Sequence, residues 1–147
     1  MVISSIVALL ASTLFTGAAI YISLVEHPAR LLLDDGPLLA QWQPSYDRAL
    51  PIQSGLAIVG GVAGLIACYL SANWIWAAGS LILLANWPFT LLVIFPVNKR
   101  LHAITPSAAN AESRQLLLKW GRLHHVRSVL GATAAIVFAW GVAAAAG

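Results

Sequence analysis

Leu24-Val25-Glu26-His27-Pro28-Ala29-Arg30 is where this chain first departs from a long apolar run, and the fold is read outward from that departure. Residues 2–25 carry no charged side chain. As a helix rising about 1.5 Å per residue they cover roughly 35 Å, close to the hydrocarbon thickness of a bilayer. An acid, an imidazole and a proline then arrive together. Pro28 has no backbone N–H to donate, so the helix is expected to kink or end near His27, leaving Glu26 and His27 at the membrane boundary. A polar helix end that stops insertion accounts for such residues taken singly. A functional role requires partners from elsewhere in the chain at the same depth.

The composition fixes the class. Of 147 residues, 60% are hydrophobic and 9% charged, and the mean hydropathy is +0.84, a balance that excludes a soluble domain and implies an integral protein of the lipid bilayer. The first apolar run has no basic flank and is too long for the core of a cleavable signal, so it reads as a span. Cys68 is the single cysteine and lies inside an apolar run, which excludes an intrachain disulfide and a thiolate metal cluster. The net charge of +3 is expected to report topology rather than a nucleic-acid partner.

Four segments can cross a membrane: 3–25, 52–72, 74–96 and about 121–144. The expected fold is all-α, a membrane-embedded up-down-up-down four-helix bundle forming one domain over residues 1–147. Pro51 suits the first turn of the second span, Ser71-Ala72-Asn73 a tight hairpin, and Pro88 a kink in the third. Asp34-Asp35-Gly36-Pro37 reads as a helix start, and the following stretch to Arg48 as a short interfacial helix between the first two spans, bent or ended by Pro44. The fourth helix is expected to begin near Ala109 to Ser113.

Arg30, Arg48, Lys99, Arg100, Arg114, Lys119, Arg122 and Arg127 all fall in the first and third connections or the adjoining turns of the fourth helix. That asymmetry predicts an inner-membrane protein with both termini outside and both long connections cytoplasmic. Trp74, Trp76 and Trp140 are expected at the outer interface, with Trp42 and Trp120 on the cytoplasmic side. Small and polar stripes mark inward faces: Ser12, Thr16, Ala19, Ser23 and Glu26/His27; Gln53, Ala57, Gly60, Gly64 and Cys68; Trp120, His124, Arg127, Gly131 and Ala134. The Gly60-xxx-Gly64 face suits packing within the bundle or in a homo-oligomer.

This topology gathers Glu26, His27, Asn98, His124 and Arg127 near one end of the bundle. Arg127 lies about one turn deeper than His124, and Glu26 is its expected partner. His102 and His125 read as interfacial. Two histidines with a carboxylate are the minimum set for an iron or copper centre, and two histidines alone for a haem. No HxxxH or ExxH pair occurs, and cofactor-free chemistry, with His as base and Arg127 stabilising an anion, is an equal alternative on these residues.

Glu26-His27-Pro28, Trp42-x-Pro44-x-Tyr46-x-Arg48-Ala49, Pro96-x-Asn98 and Trp120-x-x-x-His124-x-x-Arg127, in that order and in those topological places, resemble the anthrone oxygenase-like family of small four-helix membrane proteins. The resemblance covers nearly the whole chain. It implies oxygenation of a hydrophobic aromatic substrate of anthrone or phenol type, with Glu26, His27, Tyr46, Arg48, Asn98, His124 and Arg127 as functional positions. Under it, His27 and His124 are the expected metal ligands, Glu26 and Asn98 complete the shell, and Tyr46 and Arg48 close the site from the interfacial helix; the cofactor itself stays open. A flat substrate entering from the bilayer is expected to meet Asn86, Trp87 and Thr90 near the Pro88 kink. The competing reading is a non-enzymatic haem- or metal-binding subunit, or a structural partner of a larger complex. A transporter fits less well, because the site lies at one end rather than at the midplane.

Overall fold

The computed structural model describes residues 2–146. Nearly all of them lie in four long helices: α1 Val2–Arg30, α2 Asp35–Ser71, α3 Trp74–His102 and α4 Ala111–Ala146. Each is long and apolar enough to cross a membrane. They form a ring in chain order, α1 against α2 and α4, α3 against α2 and α4, with less packing across the diagonals. The protein is an all-α integral membrane four-helix bundle. Its apolar outer surface, with Ile3, Leu10, Leu14, Leu92, Val129 and Ile136 exposed, is the face that hydrocarbon would cover.

α1 passes through Pro28 rather than ending there. The N–H of His27 reaches back to the carbonyl of Ile22, so Ile22–Glu26 forms a π turn and the proline follows directly. α3 repeats the device: the N–H of Phe95 reaches Thr90 across the π turn Thr90–Ile94, and Pro96 follows. One extra residue in a turn rotates what comes after by roughly 100°. His27 and Asn98, both buried, lie just beyond these two turns. Near Pro88, α3 is interrupted at Ala85, between Trp74–Leu84 and Asn86–Phe89.

The short interfacial helix is not a separate element. Asp35–Ser71 is one helix of 37 residues, with Pro44 and Pro51 inside it. Each proline removes one helical hydrogen bond. Against that, Leu38, Leu39, Trp42 and Tyr46 on its first turns are buried in a cluster with Val97, Leu101, Leu117 and Trp120 of α3 and α4, and packing on neighbouring helices outweighs the local preference to break. At about 1.5 Å per residue, α2 is roughly 55 Å long, well beyond a 30 Å hydrocarbon layer, so one end projects from it.

The tryptophans also depart from an interfacial belt. Trp74 and Trp140 are exposed, but Trp76 is buried, stacked on Phe138 with ring centroids 5.9 Å apart. Trp42 and Trp120 are core residues as well. Gly60 and Gly64 face the interior: a Cβ at Gly64 would lie 2.2 Å from Ser80 Oγ and 2.8 Å from the Phe138 ring. Without water to drive association, such close van der Waals contact is what holds membrane helices together.

Helix ends are capped by side chains. Asn110 Oδ1 accepts from the N–H of Glu112 and Ser113, and Ser113 Oγ accepts from the N–H of Asn110. Arg114 donates to the carbonyls of Leu31 and Leu33 and to Asp35, tying α4 to the α1–α2 connection. Gln43 donates to the carbonyls of Leu101 and Ile104 at the end of α3. In the α2–α3 hairpin Ala72 adopts φ 52°, ψ 24°, a left-handed conformation that costs a Cβ-bearing residue about 1 kcal/mol or more. Ala72→Gly is therefore expected to raise the thermal unfolding midpoint in detergent by roughly 2–4 °C; an unchanged or lower midpoint would contradict the strain at this position.

Candidate functional site

The inward stripe of α4 sets the site. Trp120, His124 and Arg127 are buried on it, with His124 only 2% exposed. The indole of Trp120 stacks on His124, centroids 4.9 Å apart, and is tilted against His27 at 5.0 Å. Ser23 of α1 closes on His124, its Oγ 3.0 Å from Nδ1 and 2.9 Å from Ser128 Oγ. From α2, Tyr46 stacks on Trp42 at 5.1 Å, and its hydroxyl accepts a hydrogen bond of 2.7 Å from Asn98 Nδ2.

Arg127 does not pair with Glu26. Its guanidinium sits 5.5 Å from the centre of the Phe15 ring, and among the described residues it forms no ion pair. Glu26 instead pairs with Arg30, four residues on, and accepts from Ser45 Oγ at 2.6 Å while Arg30 also donates to Ser45. A carboxylate and a guanidinium on one helix face one turn apart meet without any rearrangement. That satisfies Glu26 and leaves Arg127 to the interior.

A cavity of about 130 Å³ lies between α2 and α3, lined by Tyr46, Leu50, Ala57, Leu91 and Phe95 with Arg127 and with the expected Asn86, Trp87 and Thr90. Leu91 and Phe95 are about half exposed on the outer face of the bundle, so the cavity opens sideways. A smaller recess adjoins it, sharing Tyr46, Leu50 and Arg127 and adding Arg30, Gln53, Trp120 and His124. Six polar atoms of the lining residues are buried with no protein partner: Asn86 Oδ1, Thr90 Oγ1, Gln53 Nε2, Arg127 Nε, Arg30 Nε and Trp120 Nε1. In a bilayer interior an unpaired polar atom is costly, and a ligand carrying complementary polar groups relieves it. The amide of Asn86 has a fixed orientation, since Nδ2 donates to Leu83 O at 2.9 Å and turns Oδ1 away from that carbonyl.

The sequence-derived residues thus divide. Tyr46, His124 and Arg127 line the cavity or its recess. Asn98 supports Tyr46 from behind. His27 is a strut: Leu117 O can only accept, so Nε2 donates to it at 3.0 Å, while the ring packs where a Cβ on Gly121 would lie 2.6 Å away. Arg48 is exposed on α2 and lines neither space. His125 is exposed and bonds its own helix; His102 lies against Trp42 and Asp47. Arg30, Ser45 and Ser128 carried no motif of their own, although the four-residue spacing of Glu26 and Arg30 signalled that pair.

Among the described residues no three His, Cys, Asp or Glu side chains come together as a metal-ligand set. Glu26 is held by Arg30 and Ser45 and His27 Nε2 by Leu117, while His27 Nδ1 and Asn98 Oδ1 are buried without a protein partner. With Glu26 paired to Arg30 and no three such donors gathered, the residues present do not fit a centre built on Glu26, His27, Asn98 and His124.

Fold and site together define a four-helix integral membrane protein with a laterally open pocket, apolar except for a few convergent polar groups. The sequence profile of the family described as anthrone oxygenase matches residues 42–137. The chain is 29% identical to an anthrone oxygenase of Claviceps purpurea, over 90% of this chain and 84% of that protein. It is 30% identical to an anthrone oxygenase of Cryptosporiopsis sp., over 95% and 85% of the two chains, and 30% identical to one of Aspergillus novofumigatus, over 85% and 84%. The chain belongs to the anthrone oxygenase family, and is an enzyme of the oxygenase type. No solved structure matches it.

The strut role of His27 is testable. Gly121→Ala is expected to destabilise the bundle by about 1–3 kcal/mol, because the imidazole is held by Leu117 and Trp120 and must give way. His27→Ala in that background should recover part of the loss, a coupling read from thermal midpoints of the two single variants and the double. Strict additivity would refute the contact.

Proposed function

We propose that this chain is a membrane-embedded oxygenase that oxidises a hydroxylated, hydrophobic aromatic substrate of the anthrone type in the α2–α3 cavity. The observation that carries this reading is Arg127, a buried guanidinium with no ion-pair partner among the described residues, aimed into a hollow otherwise lined mainly by apolar side chains. A buried cation held in that state suits an anion that appears during the reaction.

The substrate partitions into the bilayer and enters between Trp87, Leu91 and Phe95. A hollow of about 130 Å³ is below the roughly 300–1,000 Å³ usual for drug-sized ligands, so a three-ring substrate keeps part of its ring system between the helices in hydrocarbon. Its oxygen faces Arg127 and Tyr46. His124, with Nδ1 held by Ser23, has Nε2 free to take a proton from the acidic methylene or its phenolic tautomer, and Arg127 holds the resulting oxyanion. Dioxygen is the co-substrate. The methylene carbon exchanges its two hydrogens for one oxygen atom, and the other oxygen leaves as water, giving the quinone.

The purified protein in lipid nanodiscs, supplied with a hydroxylated anthrone in air, is expected to form quinone with one O₂ consumed per substrate. Arg127→Ala and His124→Ala should each lower kcat by about 10²-fold or more without loss of helical content. Turnover at the parental rate in either variant would sink this assignment.

The basic end of the bundle, which holds the site, is assigned to the cytoplasm and both termini to the opposite side of the cell's inner membrane. A C-terminal fusion to a reporter that works only after export is expected to be active, and a cytoplasm-only reporter silent. The opposite pattern would invert the topology.

A further inference from the structure

We infer that Ser23 and Ser128 are positioning residues that fix which ring nitrogen of His124 carries its hydrogen. The inference rests on the reading of His124 as the base. It starts from a hydrogen-bonded chain in which each serine has one hydrogen to give.

The carbonyl of His124 can only accept, and Ser128 Oγ lies 3.4 Å from it, one helical turn on. If the Ser128 hydroxyl is spent there, its oxygen is left to accept from Ser23 at 2.9 Å. The single hydrogen of Ser23 is then used, so Ser23 Oγ accepts from Nδ1 of His124 at 3.0 Å. This arrangement makes two hydrogen bonds of ordinary length and a third, long one of 3.4 Å. The reverse direction, Ser128 to Ser23 to Nδ1, makes two and abandons the carbonyl contact. In a buried pocket without competing water, the fuller set prevails. His124 therefore carries its hydrogen on Nδ1 and presents the Nε2 lone pair to the recess that it lines beside Arg127.

All three partners are buried, Ser23 at 4% exposure, Ser128 at 8% and His124 at 2%. Ser23 belongs to the π turn that also carries α1 through Pro28. The stacking of Trp120 on His124 fixes the plane of the ring; the serines fix its tautomer. A partner at one ring nitrogen decides whether the other is free to accept a proton.

The experiment pairs nitrogen NMR of histidine-labelled protein in nanodiscs with turnover of a hydroxylated anthrone. In the parent protein, His124 should show a protonated Nδ1 and an unprotonated Nε2. Ser23→Ala should move it mainly to the Nε2-protonated tautomer and lower kcat by about 10-fold with KM little changed, and Ser23→Thr, which keeps a hydroxyl, should restore both. Ser128→Ala provides a second variant that leaves α1 untouched, with a smaller shift in the same direction. A protonated Nε2 in the parent, or a Ser23→Ala protein with unaltered tautomer and kcat, would overturn the inference. A tautomer that depends on Ser23 in a protein with no anthrone turnover would uphold the positioning and defeat the oxygenase assignment instead.

Discussion

Inside hydrocarbon every backbone N–H and C=O must find a partner within the protein, and the fold depends on how four prolines meet that demand. Pro28 and Pro96 are each preceded by a π turn, where the N–H of the residue just before the proline reaches one residue further back than usual. The helices continue, and the residues beyond are turned by about a quarter of a revolution. His27 and Asn98 owe their inward direction to that turn. Pro44 leaves α2 helical by a different route, because Trp42 and Tyr46 on either side of it are packed against α3 and α4, and the helix also runs on through Pro51. The same element that sequence pattern assigns to the membrane surface thus becomes a wall of the pocket, and Tyr46 is buried rather than capping the site from outside.

The polar groups that survive in this interior fall into two kinds. Glu26, Arg30 and Ser45 bond one another, as do Asn98 Nδ2 and the Tyr46 hydroxyl, and His27 Nε2 and the Leu117 carbonyl; these knit α1, α2, α3 and α4 at the basic end, although His27 Nδ1, Arg30 Nε and Asn98 Oδ1 have no protein partner. Arg127, Gln53, Asn86 and Thr90 keep atoms without protein partners, and these residues line the cavity and its recess. The first kind ties helix to helix; the second lines the space. Charge alone does not separate them, since Arg30 and Arg127 are equally buried and differ only in whether a carboxylate stands one turn away.

Much of this was legible from residue order. Four spans, the hairpin at Ala72, the start of α4 and the inward stripes of α1, α2 and α4 follow from apolar runs, cap residues and three- and four-residue spacing. Asn86, Trp87 and Thr90 were foreseeable as cavity residues because a kink opens space beside it. The continuity of α2 was not, since it is decided by packing against distant helices rather than by local propensity. The partner of Glu26 was legible only in its four-residue spacing to Arg30, not in depth along the bundle. Depth along a helix axis brings Glu26 and Arg127 together on paper, while azimuth, shifted by a π turn, decides which guanidinium it meets. The interior positions of Trp42, Trp76 and Trp120 likewise depend on which face each helix turns to its neighbours.

The sideways opening between α2 and α3 has a consequence for how such a pocket is supplied. Leu91, Phe95 and Trp87 form a doorway onto lipid rather than water, so a ligand arrives as a solute of the bilayer, already stripped of its hydration shell. What governs occupancy is then its mole fraction in the membrane. At a fixed total amount of ligand the same pocket fills or empties as lipid is removed or added, and a product more polar than its precursor is drawn off by the interface without any gate having to open.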